Sequence, residues 1–510
     1  MAVKKALLIY PAPISQMPSG IAYLGAILEQ RGINVDILVN SFRKIMSSED
    51  IYRYAERTEP DIIGLSFITY DLINTYELLG RLKTLGVPVV CGGVHPTARP
   101  EESLNAGASV IVMNEGELTI EALVDHWDNP GANPIEAIPG IAYRQNGENH
   151  TNLKMGRVAD LDAIPYPARH LFDADQFRLS NNELKGFERL FSGRGCPSKC
   201  TFCDKTVFGR KFKTRSVENV IGEIEQVKKD FGIRSFSFGD DTLTLDKRFV
   251  NTFCEEILKR DLDIEWNCST RVDRVNSEMA TMMKRAGCFR ITLGPESGHP
   301  DTLLQIKKGI TVDDIYNATN VIYDAGIQAY LNFMCGFPEE TPERLKATIK
   351  VIRDLSPKVY MYQVYGAVVP YPNTEVYTEN YEKFGFKDWW LEPEMQGIGM
   401  AMYQNVKDPY HCSVYYQRSL FDDTYIMKET FFPYSKEFKK TIKEMIFAVG
   451  KHSLAAQYRS RTKQYTYYLL GHLSKMMYDL NPNLEISLVS TFARTNLVHE
   501  NRSIGSFVQH

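Results

Sequence analysis

The feature that most constrains this chain is an alternation of short apolar runs with amphipathic helical segments, which occurs in two separate blocks. In the first block, strands are predicted at residues 5–10, 35–39, 61–67, 87–91 and 109–113. Helical segments such as 21–31 and 73–85 lie between them. Strands that alternate with helices form parallel sheets with helices on both faces. We therefore predict an α/β fold, with a doubly wound, Rossmann-like domain over residues 1–128.

The second block contains six strand-helix repeats. Its strands are predicted at residues 189–192, 235–239, 265–270, 290–294, 328–335 and 359–369. Six repeats are too few for a closed eightfold barrel, so we predict an open (β/α)6 partial barrel over 187–379. Between the blocks the periodicity fades and Pro and Gly recur, which indicates a linker over 129–186. Residues 380–510 are aromatic-rich and mostly helical in pattern, and we expect them to cover the substrate.

Composition and charge limit the partners. The chain has 510 residues, of which 44% are hydrophobic and 24% charged, as in ordinary folded proteins. Its 59 basic and 63 acidic residues give a net charge of −4 without long runs of one sign, so we expect no nucleic-acid partner. We expect neither a transmembrane span nor a signal peptide. Nine sparse cysteines argue against a disulfide framework and favour a cytoplasmic location.

Three of the nine cysteines, Cys196, Cys200 and Cys203, lie within eight residues, directly after the first predicted barrel strand. Three thiolates on one loop suit an iron-sulfur cluster. A structural zinc site is the alternative, but such sites take four protein ligands and no nearby His completes the set. Three cysteines leave one iron of a four-iron cluster open to a small molecule, so the cluster is expected to be catalytic. The other six cysteines are expected to be small buried side chains.

At these residues the chain resembles the radical S-adenosylmethionine (SAM) superfamily, whose hallmark is a Cys-x3-Cys-x2-Cys loop after the first barrel strand. Further segments recur in the order of its cobalamin-dependent branch: 194–197, 240–241, 271–273, 294–298, 308–309, 336–341 and 370–374. The resemblance implies a [4Fe-4S] cluster held by Cys196, Cys200 and Cys203, with SAM on the open iron. In this family an electron from the cluster cleaves SAM to a 5′-deoxyadenosyl radical, which abstracts hydrogen from carbon.

The resemblance also implies contacts with SAM. Phe202 is expected to pack beside the adenine, and Asp240 or Asp241 to bind the methionyl amine in place of the family's usual Gly-Gly-Glu. Glu296 and Arg271 are expected to reach the ribose or the carboxylate, since carboxylates pair with guanidinium groups. The alternative for Asp241 is a helix N-cap.

The first domain resembles the cobalamin-binding domain of the same branch through Pro11 and the segments 20–24, 92–96 and 115–117. Gly92 and Gly93 would let a bulky ligand approach the backbone, and Tyr70 is a candidate to lie under the corrin. The Asp-x-His-x-x-Gly signature that supplies a His below cobalt is absent. His95 is not expected to replace it, and either contacts the nucleotide tail or caps a turn. A degenerate domain that has lost cobalamin is the alternative.

The resemblance implies an enzyme that delivers the methyl group of methylcobalamin to a substrate radical, with two SAM molecules consumed per turnover. We expect an unactivated carbon of a small-molecule, lipid or tetrapyrrole substrate to be methylated. Radical ring closure without methyl transfer, as in the anaerobic Mg-protoporphyrin monomethyl ester cyclase, is the alternative among enzymes. A non-catalytic corrinoid-binding protein is the alternative of another class. A flavodoxin or ferredoxin is the implied electron donor, and no further catalytic residue is assigned.

The C-terminal region combines aromatic pairs such as Trp389-Trp390, Tyr415-Tyr416 and Phe431-Phe432 with lysines. This combination favours an amphipathic helix with one packed and one solvated face. Single-stranded nucleic-acid binding and peripheral contact with a membrane surface are the alternatives.

Overall fold

The computed structural model describes residues 2–14, 16–41, 44–69, 72–153, 157–173, 188–393, 432 and 435–457. The first domain is built on a seven-stranded sheet: β1 (Lys5–Ile14), β2 (Asn34–Ser41), β3 (Ile62–Ser66), β4 (Val89–Gly92), β5 (Val110–Val112), β6 (Ile141–Gln145) and β7 (Glu148–Asn152). The strand order is β2-β1-β3-β4-β5-β6-β7, and the first five strands run parallel.

Helices cover both faces of this sheet, so the doubly wound prediction is confirmed. The helices are α1 (Ser19–Gln30), α2 (Ser48–Thr58), α3 (Leu72–Leu82), α4 (Val94–Ala98), α5 (Pro100–Ala106) and α6 (Glu117–Asp128). Apolar side chains of α1 and α6 share one buried cluster with the sheet, and those of α2, α3 and α5 share another. The carboxyl ends of the parallel strands therefore form one edge at which a ligand can lie between the two layers.

The linker prediction needs correction at residues 141–152, because β6 and β7 extend the first sheet there. Strand β6 pairs antiparallel with β5, and β7 pairs antiparallel with β6. The two strands are joined by Asn146 and Gly147, with φ of 51° and 84°. Positive φ at both turn residues is the geometry of the tightest hairpins, and Asn-Gly is their strongest sequence signal.

The second domain is an open, fully parallel six-stranded sheet. Its strands are β8 (Glu188–Leu190), β11 (Ser235–Phe238), β12 (Glu265–Thr270), β13 (Cys288–Glu296), β14 (Gln328–Cys335) and β15 (Met361–Ala367). The order is β15-β14-β13-β12-β11-β8, which leaves β8 and β15 at the two edges. The intervening helices are α7 (Val217–Phe231), α8 (Lys247–Arg260), α9 (Ser277–Arg285), α10 (Pro300–Gln305), α11 (Val312–Asp324) and α12 (Pro342–Leu355). The partial-barrel prediction is thereby confirmed.

A buried ionic network joins the linker to the second domain. The Arg169 guanidinium pairs with Glu188 at 2.7 Å and also with Glu223 of α7, whose other oxygen pairs with Arg215. Glu223 is fully buried, and among the described residues its carboxylate pairs with these two arginines alone. Removal of either arginine would leave a buried carboxylate under-compensated, which makes the network a strong anchor for the linker.

The described part of the C-terminal region packs against both domains. It contains α13 (Glu375–Phe384) and α14 (Lys436–Gln457). Phe438, Ile442 and Met445 of α14 are buried in the core of the second domain while Lys436 and Lys440 are exposed, as expected for an amphipathic helix. Tyr415, Tyr416 and Phe431 lie outside the described residues. Within the described range, no helix is both long enough and apolar enough to cross a bilayer.

Candidate functional site

The three cysteines are carried by a rigid hairpin at the carboxyl edge of the second sheet. Two short strands, β9 (Gly193–Arg194) and β10 (Lys213–Thr214), pair antiparallel and close the segment at both ends. A Cβ at Gly195, where φ is 85°, would lie 2.5 Å from the carbonyl oxygen of Lys211. The Cys196 N–H donates to the Gly209 carbonyl at 3.3 Å. Glycine is therefore required beside the first cysteine, because the two backbones touch there.

The middle of the cysteine loop is docked onto the barrel by backbone hydrogen bonds. The Thr201 N–H donates to the Ile306 carbonyl, and the Val376 N–H donates to the Thr201 carbonyl, both at 3.1 Å. Cys196 is buried, whereas Cys200 and Cys203 are half-buried and open to a ligand from outside. All three thiols are free.

This donor set fits a four-iron cluster. Within the described ranges, no three Cys, His, Asp or Glu side chains converge tightly enough to hold a single metal ion. A [4Fe-4S] cube does not need such convergence, since each thiolate binds a different iron and three thiolates leave the fourth iron free. The scattered cysteines Cys91, Cys254, Cys268, Cys288 and Cys335 are buried and free, as predicted, and Cys412 lies outside the described residues.

Three of the predicted SAM contacts meet around Lys308, a residue to which the sequence assigned no role. The Lys308 ammonium lies 2.9 Å from Glu296 and 5.8 Å from the centre of the Phe202 ring. Arg271 donates to the Lys308 carbonyl at 2.8 Å and to the Ser198 hydroxyl of the cysteine loop at 3.3 Å. Phe202, Arg271 and Glu296 are thus brought together beside the cysteines.

The Glu296–Lys308 ion pair is buried and tightly accommodated. Both residues are 8% exposed, and Glu296 has a φ of 65°, which non-glycine residues rarely adopt. A Cβ at Gly294 would lie 2.5 Å from the Glu296 carboxylate and 3.4 Å from the Lys308 ammonium. Gly294 therefore leaves the space that the pair occupies. Strained backbone of this kind clusters at functional sites, where the surrounding structure holds it in place.

The two aspartates after β11 have different environments. Asp240 is buried, and its carboxylate accepts hydrogen bonds from the Ser192 N–H at 3.0 Å and the Ser192 hydroxyl at 2.6 Å. Burial raises the pKa of Asp240 to about 6, although the Ser192 hydrogen bonds act in the opposite direction. Asp241 is half exposed, with Lys205 at 3.5 Å. Asp246, not Asp241, caps the following helix, so the helix-cap alternative for Asp241 is wrong.

A large cleft lies at the carboxyl edge of the first sheet. Its volume is about 1100 Å³ including its open mouth. Residues from β1, β3, β4, β5, α1 and α6 form its walls, and the barrel contributes Phe191, Arg194, Val207 and Phe208. The cleft is thus walled by the first domain on one side and by the cysteine hairpin on the other.

The glycines expected to face a cofactor line this cleft. Gly92, Gly93, Gly20, Gly64 and Gly116 all contribute to its surface. Gly93 has a φ of 102°, and a Cβ there would lie 2.8 Å from the Phe67 carbonyl. A glycine-lined floor admits a broad planar ligand close to the backbone, which fits a corrin. Tyr70 lies outside the described residues.

His95 is fully buried behind the glycine pair and does not reach the cleft. Its Nδ1 lies 3.2 Å from the Thr69 hydroxyl, and its Nε2 lies 3.1 Å from both Tyr76 and Glu102. Burial lowers its pKa despite the neighbouring Glu102. The His95 side chain is therefore engaged by Thr69, Tyr76 and Glu102 within the first domain, and it does not line the cleft.

Comparisons with known proteins coincide with these two sites. The B12 binding domain family matches residues 14–124, and the Radical SAM superfamily matches residues 190–352. An uncharacterised methyltransferase of Pyrococcus horikoshii is 31% identical over 392 residues, which cover 74% of this chain and 83% of that protein.

Two further similarities extend over most of the chain. The anaerobic magnesium-protoporphyrin IX monomethyl ester cyclase of Rubrivivax gelatinosus is 26% identical over 399 residues, 75% of this chain and 71% of that protein. The fold resembles TsrM of Kitasatospora setae, a radical SAM methyltransferase solved with cobalamin and a [4Fe-4S] cluster bound. The TM-score is 0.64 at 18% identity, and the match covers 75% of this chain and 78% of TsrM.

Proposed function

The chain belongs to the cobalamin-dependent radical SAM family, and we propose that it methylates an unactivated carbon of a small-molecule, lipid or tetrapyrrole substrate. One observation carries this proposal. The cleft of the first domain is walled by the cysteine hairpin itself, through Arg194, Val207 and Phe208. A corrin in the cleft and SAM on the cluster would therefore face one another, as a methyl donor and a radical source must.

The protein's own residues bind and orient these groups. When bound, the cluster and SAM supply the 5′-deoxyadenosyl radical, and cobalamin supplies the methyl group. We propose that Cys196, Cys200 and Cys203 hold the cluster, and that Phe202 packs against the adenine. The buried Lys308 ammonium and the Glu296 carboxylate together present one charge of each sign, and we propose that the zwitterionic methionyl group lies beside them.

The half-exposed carboxylate of Asp241 is a better partner for the methionyl amine than Asp240. Both oxygens of Asp240 already accept hydrogen bonds from Ser192, and the residue is buried. Asp241 is open on one side and lies on the same strand end, close to Lys205 of the cysteine loop. We therefore propose that Asp240 stabilises the segment that follows strand β8, through Ser192, and that Asp241 contacts SAM.

The proposal includes an external one-electron donor, of flavodoxin or ferredoxin type, in the cytoplasm. The outer surface of the cysteine loop carries Lys199, Arg210 and Lys211, all exposed. None of the three has an ion-pair partner in the part of the chain that the structure describes. Unpaired positive charge around the cluster favours the approach of an acidic redox protein.

The first test is anaerobic reconstitution of the full chain, with iron, sulfide and bound cobalamin quantified. The proposal expects about four irons and about one cobalamin per chain, with iron lost in the Cys196→Ala, Cys200→Ala, Cys203→Ala triple variant and cobalamin retained. With SAM and a low-potential reductant, the loaded protein should release 5′-deoxyadenosine. Iron without cobalamin, at saturating cofactor, would exclude the methyl-transfer mechanism.

Ring closure without methyl transfer is the competing outcome, because the similar cyclase carries that name. SAM with an isotopically labelled methyl group distinguishes the two reactions on a candidate magnesium porphyrin. Label in the product supports methyl transfer, and a ring-closed product without label supports ring closure.

A further inference from the structure

An ionic bridge connects the two domains at the boundary between the cofactor sites. The Arg194 guanidinium donates to Glu115 at 2.9 Å and to Glu117 at 2.6 Å. Arg194 belongs to β9 of the cysteine hairpin, whereas the two glutamates follow β5 of the first sheet. All three side chains are at most 10% exposed, and all three residues line the cleft.

Two aromatic rings restrict the orientation of the Arg194 guanidinium. The Arg194 guanidinium lies 5.4 Å from the centre of the Tyr23 ring and 5.2 Å from that of the Phe208 ring, one ring from each domain. Aromatic faces attract a guanidinium and restrict its rotation. The forked contact with two carboxylates fixes the plane as well as the position of the group.

The bridge lies close in sequence to the first cysteine. Arg194 lies between Gly193 and Gly195, and a Cβ at either glycine would lie within 2.7 Å of a backbone oxygen of residues 211–213. The tripeptide 193–195 thus packs closely against residues 211–213 of the opposite strand, and Cys196 follows it in the sequence.

The bridge also carries an excess of negative charge. Glu115 and Glu117 have no hydrogen-bond partner other than Arg194 among the described residues. Without the arginine, two buried carboxylates of the 115–117 turn would lack a compensating cation, and the ionic contact that joins this turn to β9 across the cleft would be lost.

We propose that Arg194 is a positioning residue that holds the cobalamin-binding edge of the first domain in register with the cysteine loop. The inference rests on the proposed function. Arg194 joins strand β9 of the cysteine hairpin to the 115–117 turn of the first domain, and it does not take part in bond making. Arg194 thereby sets the distance between SAM and the cobalt to which the methyl group passes.

The test compares two reactions of the reconstituted enzyme, neither of which needs the substrate. Reductive cleavage of SAM to 5′-deoxyadenosine requires the cluster alone. Methylation of added, chemically reduced cobalamin requires both sites in register: the S–CH3 bond of SAM breaks, a Co–C bond forms, cobalt passes from +1 to +3, and S-adenosylhomocysteine leaves. Absorbance follows the second reaction, and chromatography follows the first.

Arg194→Lys keeps a positive charge but cannot bridge two carboxylates in a fixed plane. We expect cobalamin methylation to fall at least tenfold while iron content and SAM cleavage stay within twofold of wild type. Arg260→Lys is the matched control, because Arg260 likewise bridges two glutamates, Glu218 and Glu256, and none of these residues lines the cleft. A parallel fall of both reactions in Arg194→Lys, or no fall in either, would overturn the inference.

A second measurement uses the cofactor-free chain. Hydrogen-deuterium exchange should rise in Arg194→Lys at both residues 110–117 and residues 193–213, with no change at Gln328–Cys335. Unchanged exchange at 110–117 would contradict the inference. Glu117→Gln removes one arm of the bridge and should give the same pattern with a smaller amplitude if the arginine variant does not fold. If wild type fails to methylate cobalamin, the proposed function is wrong, and the exchange result still decides the role of Arg194.

Discussion

Asp240→Asn should abolish a loss of stability that the wild-type protein undergoes between mildly acidic and neutral pH. Asp240 is 5% exposed, and its two oxygens are occupied by the N–H and the hydroxyl of Ser192. Burial is the main cause that raises its pKa from 3.8 to about 6. Asn fits the same position, since its oxygen can accept from the Ser192 N–H and its amide can donate to the hydroxyl.

Stability should fall as the pH rises, because the pKa of Asp240 is higher in the folded state than in the unfolded state. A carboxyl whose pKa is higher in the folded state binds its proton more tightly there, so its contribution is fully present below the unfolded pKa of about 4. That contribution is lost as the pH rises through the folded pKa of about 6. A shift of roughly two pKa units corresponds to about 3 kcal/mol. Wild type should therefore lose about 3 kcal/mol relative to Asp240→Asn between pH 4 and pH 8.

Urea unfolding at a series of pH values, read by hydrogen exchange of peptides from residues 188–240, measures this difference locally. The local readout is needed because a chain with two domains does not unfold in one step. Asp241→Asn is the matched control, because it removes the adjacent carboxylate, which is half exposed and not buried as that of Asp240 is. Parallel profiles for wild type and Asp240→Asn would refute the argument that burial dominates at Asp240.

Three further predictions concern the two sites and the buried Glu340, which follows β14. Gly92→Leu should reduce bound cobalamin at least tenfold, measured by absorbance after gel filtration, because its side chain would occupy the cleft. Gly92→Ala should retain cobalamin, since its Cβ would lie 3.5 Å from the nearest backbone oxygen. Lys308→Met should cost about 3–5 kcal/mol of stability by leaving the Glu296 carboxylate buried and unpaired, and Glu296→Gln should restore most of it in the double variant. Glu340→Gln should raise the thermal midpoint at pH 8 but not at pH 5, because burial raises the pKa of Glu340 to about 7.

The parallel strands could be predicted from the sequence because they are buried on both faces. Such strands read as apolar runs between helical segments, and the predicted runs at 61–67 and 109–113 contain β3 and β5. Strand β7 could not be found in this way, since its sequence Glu-Asn-His-Thr-Asn is polar and exposed at the sheet edge. The Asn146-Gly147 pair was the available signal for that hairpin.

The cysteine loop could be predicted for a different reason. Its three thiols lie within eight residues, so the covalent chain alone brings them together. The Arg194 bridge is the opposite case, because 77 and 79 residues separate Arg194 from its two glutamates. Lys308 likewise meets Phe202 and Arg271 only through the order of strands in the sheet. Contacts of this kind depend on the order of the strands in the sheet. The periodicity of a single sequence predicts individual strands and helices, but not that order.

Trp390 illustrates the same limit in the C-terminal region, where aromatic residues were expected to cover the substrate. Its indole N–H donates to Glu102 of the first domain at 3.1 Å, and its ring packs 5.8 Å from that of His95. Arg99 lies over the same ring and also donates to Asn373 at 3.1 Å. These contacts fasten the segment after the barrel to the helices behind the cobalamin cleft. Helical spacing indicates that a side chain packs, but not which domain it packs against, and Trp390 packs against the first domain.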